Sequence, residues 1–176
     1  RSSHLQQYQQ ASQQPEQFWA AQAAQLQWYK APASILHQQD AHHYQWFADG
    51  ELNTSFLALD SQIFQGRGAQ TALIYDSPVT GHKQQYSYLQ LRDEVALLAG
   101  AMQQLGLEKG DRVVIYMPMV PEAVIAMLAV ARLGAVHSVV FGGFSAHELA
   151  LRIDDAKPKL VLSASCGIEV NRLIAY

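Results

Sequence analysis

Gly110 to Phe144 reads GDRVVIYMPMVPEAVIAMLAVARLGAVHSVVFGGF, and its parsing decides the fold. Arg112-Val113-Val114-Ile115-Tyr116 is apolar at successive positions, as a strand buried on both faces of a parallel sheet must be. Pro118 and Pro121 punctuate the next turn, and Pro121 suits the first position of a helix because its missing N–H would be an orphan there anyway. From Glu122 to Leu133 the chain is apolar or small nearly all round, the mark of a helix sandwiched between layers. Val136 to Val140 is a second strand, ended by Phe141-Gly142-Gly143-Phe144. Ser145-Ala146-His147-Glu148 has the pattern of a capping box, opening a helix with Leu149, Ile153 and Ala156 on one side. Lys159 to Ser163 (KLVLS) is a third strand. Strand, helix, strand, helix, strand at this spacing implies right-handed crossovers and a parallel sheet, hence an α/β class.

Upstream, TALIY at Thr71–Tyr75 and QQYSY at Gln84–Tyr88 are β-prone runs separated by a Pro- and Gly-containing turn, which predicts a hairpin. Ser87-Tyr88-Leu89-Gln90 is a second capping-box pattern. Behind it Tyr88, Leu91, Val95, Leu98, Met102 and Leu105 recur at helical intervals, and Gly106 stands where a helix C-terminus wants it. Residues 1–45 hold thirteen glutamines, yet Phe18, Trp19, Ala23, Leu26 and Tyr29 within Pro15–Lys30 predict one amphipathic helix. Trp46 to Gly50 reads as a turn with anchoring aromatics, and Leu52 to Leu59 as an irregular packed arm. No internal repeat is visible.

Composition narrows the classes. The 176 residues are 49% hydrophobic and only 15% charged, apolar for a free-standing domain and suggestive of surface meant to be covered. A net charge of −3 leaves no basic stripe for nucleic acid. The longest purely apolar run, Ala123–Ala131, is shorter than the roughly 20 residues a bilayer span needs, so no membrane partner is expected. Cys166 stands alone, which excludes an intramolecular disulfide and a multi-cysteine zinc site. The polar start lacks an apolar h-region. Without an initiator Met it reads as trimmed or tag-derived, and a transit peptide could have been lost with it.

Candidate chemistry is sparse. Gly142-Gly143 lies between a strand and a helix N-terminus, where backbone N–H groups favour anions; either the chain passes close to a ligand there, or two glycines simply permit a tight turn. There is no GxGxxG and no GxxxxGK[ST]. The seven histidines form no HExxH; His42-His43 reads as a solvated loop and His137 as a satisfied core histidine. No GxSxG elbow occurs, and Cys166 has no evident base. Asp154-Asp155 reads as a solvated face, and Met117, Met119 and Met127 as packing. The segment Gly167–Arg172 comes after the C-terminal end of a parallel strand, where open α/β sheets place ligands, and an Arg there could fork a phosphate or be an ordinary surface residue.

The chain resembles the N-terminal region of AMP-forming short-chain acyl-CoA synthetases, the acetyl- and propionyl-CoA synthetases, over nearly everything from Tyr8 to Arg172. PEQFW at Pro15–Trp19, WFADGELN at Trp46–Asn53 and LALD at Leu57–Asp60 resemble that family's N-terminal cap. YSYLQL at Tyr86–Leu91, GDRVVIYMPMVPEA at Gly110–Ala123 and ARLGAVHSVVFGGFS at Ala131–Ser145 are more specific. Asn53-Thr54-Ser55-Phe56 and Ser61-Gln62 depart from the family's usual cap. SASCGIEVNR at Ser163–Arg172 is more similar to propionyl- than to acetyl-CoA synthetases.

The resemblance implies an N-terminal cap helix and arm over residues 1–66. A partial doubly wound parallel sheet (βαβαβ) of a larger adenylate-forming domain occupies 67–176. It implies a ligase that activates propionate, or acetate, with ATP and Mg²⁺ to an acyl-adenylate and passes the acyl group to CoA. The phosphate loop, acyl pocket, hinge and catalytic lysine of such an enzyme match nothing here, so no catalytic or metal-binding residue is assigned and the isolated chain is expected to be inactive. The CoA edge carries over instead, to Gly143 near the channel and to Glu169, Val170, Asn171 and Arg172 in a loop touching the nucleotide. Arg172 is the expected phosphate contact, while Glu169 replaces a frequent Arg. The expected partners are the small carboxylic acid, ATP, CoA and the remainder of the same polypeptide, with self-association of the isolated piece through its uncovered surface. The expected compartment is the cytoplasm, or the mitochondrial matrix in a eukaryote. The alternative is a truncated, non-catalytic paralogue serving as a CoA- or partner-binding module.

Overall fold

The structure, a computed structural model, describes residues 4–169 and 172–176. The chain divides into two compact units, Arg1–Asn53 and Thr54–Tyr176.

In the first unit the expected single helix is two. Helix α1 (His4–Gln13) carries no buried residue, and α2 (Pro15–Ala23) starts on Pro15. Helix α2 ends at Ala23, so Leu26 and Tyr29 fall outside it. The Ala23 carbonyl at its end accepts from the Leu26 N–H at 3.1 Å and from the Trp28 indole N–H at 2.8 Å, so the orphan acceptor is satisfied. Strands β1 (Leu36–Gln38) and β2 (Tyr44–Trp46) pair antiparallel, and His42 and His43 lie exposed at their tip, with His43 Nδ1 2.8 Å from an Asp40 oxygen. Trp46 meets Trp19 edge-on at 6.2 Å and Phe47 meets Trp28 at 5.8 Å.

The arm expected to be irregular is helical from Thr54, with two π-helical stretches, Phe56–Asp60 and Ile63–Arg67. Gly66 interrupts the second at φ 80°, a conformation glycine adopts without strain. A two-pronged ion pair, Arg132 to Asp60 at 2.7 and 3.1 Å, ties this segment to the helix holding Arg132. The hairpin β3 (Thr71–Asp76) and β4 (Lys83–Ser87) forms as read, with a register shift between Thr71 and Leu73.

Helix α3 (Tyr88–Gln104) has the complete capping box: Gln90 N–H donates to Ser87 Oγ at 3.2 Å and Ser87 N–H to Gln90 Oε1 at 2.9 Å. Gly106 takes φ 86° just past its end. Strand β5 (Arg112–Met117) is central, flanked in parallel by β6 (Val136–Phe141) and β7 (Leu160–Ser163). Helix α4 (Pro121–Arg132) links β5 to β6, and α5 (Ala146–Ala156) links β6 to β7. The first crossover goes to one side of β5 and the second returns past it, so crossovers of one hand put α4 and α5 on opposite faces.

Alternation along β5 serves both layers. Val113 and Ile115 join Leu91, Val95 and Met102 of α3 and Ile125, Ala126, Ala129 and Val130 of α4; Val114 and Tyr116 join Val140, Phe144, Leu149 and Ile153. Each fully buried Val or Ile of this kind contributes about 1.5–3 kcal/mol.

Two further expectations differ from the structure. His137 is exposed, not a core histidine, because β6 is an edge strand. Glu148 does not close the second capping box: Ser145 Oγ accepts from its N–H at 3.4 Å, but its carboxylate turns to Arg152 at 2.8 Å instead.

Candidate functional site

The C-terminal ends of β5 and β6 open into a cleft of about 660 Å³, where a sheet of this topology is expected to take a ligand. Four pieces of the second unit line it. The β3–β4 turn, Tyr75 to Val79, forms one lip. The end of β5 gives Tyr116, Pro118 and Met119. The turn after β6 gives Phe141 to Phe144, with Ala146 and Leu149 behind. The last strands, β8 (Cys166–Glu169) and β9 (Arg172–Ala175), form an antiparallel hairpin whose base, with Tyr176, closes the far wall.

The lip is a hydrogen-bonded turn. Ser77 is buried; its N–H donates to the His82 carbonyl and its carbonyl accepts from Gly81 N–H, both at 2.9 Å. Asp76, the one acid among the described lining residues, is met by Lys83 at 2.7 Å.

The diglycine turn closes through Phe144 N–H to the Phe141 carbonyl at 3.0 Å. A Cβ at Gly142 would overlap the Tyr176 hydroxyl and come within 2.9 Å of the Met117 carbonyl, and one at Gly143 would meet the Phe141 ring at 2.5 Å. Gly142 is therefore held to glycine by the Met117 backbone, whereas at Gly143 it is the exposed Phe141 ring that would have to give way, and the main chain of both borders the cleft. Tyr116 donates to the Phe144 carbonyl at 2.7 Å and packs its ring on Tyr176 at 4.6 Å between centroids. Partial burial raises the Tyr176 phenol above its ordinary value, with Tyr116 and Cys166 adding to the shift.

Of the residues assigned from sequence to the CoA edge, Gly143 is the one among the described residues that lines the cleft, and Gly142, Gly167 and Ile168 beside those residues line it too. Arg172 pairs with Glu169 across the hairpin, at the end away from its base, and Arg172 is exposed. Val170 and Asn171 lie outside the described residues. Met119, read as packing, is 85% exposed and lines the cleft. Tyr116 and Tyr176 were not singled out, since only the third dimension stacks rings sixty residues apart.

The cleft's lining is mostly apolar, with the diglycine main chain and the Ser77 turn at its border. Among its described residues no nucleophile stands beside a base. No three His, Cys, Asp or Glu side chains of the described residues converge on a metal position. No helix of the described residues is long and apolar enough to cross a membrane.

With this geometry in view, the comparisons are specific. Residues 61–174 match the family described as AMP-binding enzyme, and residues 5–58 match the acetyl-coenzyme A synthetase N-terminus. An uncharacterized protein of Pseudomonas aeruginosa is 66% identical over 99% of this chain and 28% of its own length. The mitochondrial acyl-CoA synthetase short-chain family member 3 of Bos taurus is 49% identical over 92% of this chain and 24% of its own. The solved acetoacetyl-CoA synthetase from Streptomyces lividans superposes with a TM-score of 0.83 at 25% identity, over 95% of this chain and 26% of that one. The chain thus spans about a quarter of the length of the relatives it matches.

Proposed function

Because the chain belongs to the AMP-binding enzyme family, as an N-terminal region of the acetyl-CoA synthetase kind, we propose that the polypeptide carrying it is an AMP-forming acyl-CoA ligase. Its carboxylate substrate attacks the α-phosphate of ATP, releasing pyrophosphate and leaving an acyl-adenylate; the CoA thiol then displaces AMP. Propionate is preferred to acetate, on the stretch Ser163–Arg172. ATP and Mg²⁺ are assigned to residues outside these 176, and the chain alone is assigned no ligase activity. The reading is carried by two consecutive family matches that together run from residue 5 to residue 174.

Within that enzyme, residues 1–66 are assigned to the N-terminal cap and 67–176 to the first part of the AMP-binding domain. The CoA edge is assigned to Gly143 and to the hairpin residues Glu169, Val170, Asn171 and Arg172. The cleft is of a size and character for the pantetheine arm, and Arg172 offers a guanidinium for a nucleotide phosphate. The compartment assigned is the cytoplasm, or the mitochondrial matrix in a eukaryote.

The test uses the full-length gene product. Carboxylate-dependent ATP–pyrophosphate exchange should appear, with kcat/KM higher for propionate than for acetate; absence of exchange with any short carboxylate sinks the ligase reading. Arg172→Ala should raise the CoA KM about tenfold, the worth of a hydrogen bond to a charged group, and leave exchange in place. An unchanged CoA KM removes Arg172 from the site.

A further inference from the structure

Tyr116 occupies a position its neighbours do not share. It is the last of the β5 residues that face α5, and only 7% of it is exposed. Its main chain is clamped on both sides, paired with Val140 of β6 and Ser163 of β7. The base of its side chain is thus a fixed point in the sheet.

From that point the side chain reaches two neighbours. On one side its hydroxyl donates to the Phe144 carbonyl at 2.7 Å, across 28 residues of sequence. On the other, its ring packs on Tyr176. The turn it holds contains Gly142 and Gly143, which have no side chains to anchor it and the widest backbone freedom of any residue. One backbone bond, Phe144 to Phe141, closes that turn, and Phe141 opposite Met117 is its last pairing with β5. The Tyr116 hydroxyl adds the hydrogen bond that ties the far end of the turn, at Phe144, back to β5. The turn and the hairpin also meet directly where Gly142 faces Tyr176, and Tyr116 is the side chain that touches both walls.

We infer that Tyr116 is a positioning residue that sets the diglycine turn for the thiol-bearing arm of CoA, through its bond to the Phe144 carbonyl. This rests on the CoA assignment proposed for the cleft. Tyr116 itself makes no bond to substrate. It leaves the Phe144 carbonyl satisfied and the turn at one distance from the opposite wall; without the hydroxyl, the carbonyl seeks another donor and the glycines let the turn go with it.

The experiment compares wild type with Tyr116→Phe in the full-length gene product. Phenylalanine fills the same ring volume, so the variant removes the bond and keeps the packing. Calorimetry reads the dissociation constants of CoA and of pantetheine, and ATP–pyrophosphate exchange reads adenylation separately. Loss of this bond should weaken CoA and pantetheine by the same factor, about five- to tenfold, while the adenylation rate shifts far less. A purely structural hydroxyl would lower thermal stability and reduce both readouts in parallel, and that result overturns the inference. So does a CoA affinity in the variant equal to wild type. A wild-type enzyme that binds CoA but shows no exchange fails the ligase reading alone, and the comparison of dissociation constants still decides the role of Tyr116. A wild type that binds no CoA overturns both.

Discussion

Asp111 shows how one short side chain can tie two distant pieces of chain. One carboxylate oxygen accepts from Glu108 N–H at 2.8 Å and from Lys159 Nζ at 3.0 Å, so the turn before β5 is joined to the start of β7. The Glu108 N–H, then the Lys159 ammonium, hold its carboxyl below the ordinary carboxylate value. A folded-state pKa below the unfolded one adds stability that is fully present above the unfolded value, near pH 4, and is lost as pH falls through the lowered one. Asp111→Asn should therefore unfold more readily than wild type at pH 6–7, with the gap closing as the pH is taken below about 4. Urea titrations at a series of pH values would show it; a gap that stays constant down the acid limb refutes the assignment. Other residue-scale readings depended on competition. Glu148 could reach back to its own helix start or forward one turn to Arg152, and the i, i+4 ion pair won.

At the scale of elements, the cap on α3 is the clearest local determinant. Ser87→Ala deletes one half of a reciprocal box and should cost about 0.5–2 kcal/mol. The expected outcome is a lower thermal midpoint with the helix still formed, and a midpoint unmoved would mean the cap is redundant with tertiary packing. Elements with a strong period or a cap were legible: Leu91, Val95 and Met102 repeat at helical spacing and are all buried, and the unbroken apolar run of β5 is buried on both faces. The segment from Thr54 to Arg67 was not legible. Its π-helical hydrogen bonding leaves no distinct signature in apolar spacing, and the Asp60–Arg132 pair that anchors it joins residues 72 apart. The cleft was half legible for the same reason. Gly143 advertised itself by residue type, whereas Tyr116 and Tyr176 matter through a contact that no local pattern records. The resemblance implies a loop at Glu169–Arg172, and the structure forms the β8–β9 hairpin across that segment.

For the whole molecule, the strand order β6-β5-β7 leaves both outer strands as edges of their sheet. Along β6, Val139 is 53% and Phe141 67% exposed. An open edge with apolar side chains beside it is a template for another chain. The 176-residue chain should therefore self-associate as its concentration rises, seen as a growing weight-average mass in sedimentation equilibrium. A mass of 19.5 kDa held across the whole concentration range would contradict this. His137 belongs to the same lesson. Apolar neighbours made it look interior, but strand order is a property of the assembled sheet, and it places His137 at the rim.

That strand order also has a consequence in time. The central strand is complete in sequence by Met117, yet one of its two partners, β7, is not complete until Ser163. At about 5–20 residues per second, a chain leaving the ribosome spends a few seconds with β5 paired on the β6 side alone. Throughout that interval the most buried strand of the finished protein is an open one, and its nearest chaperone is whatever the cell supplies.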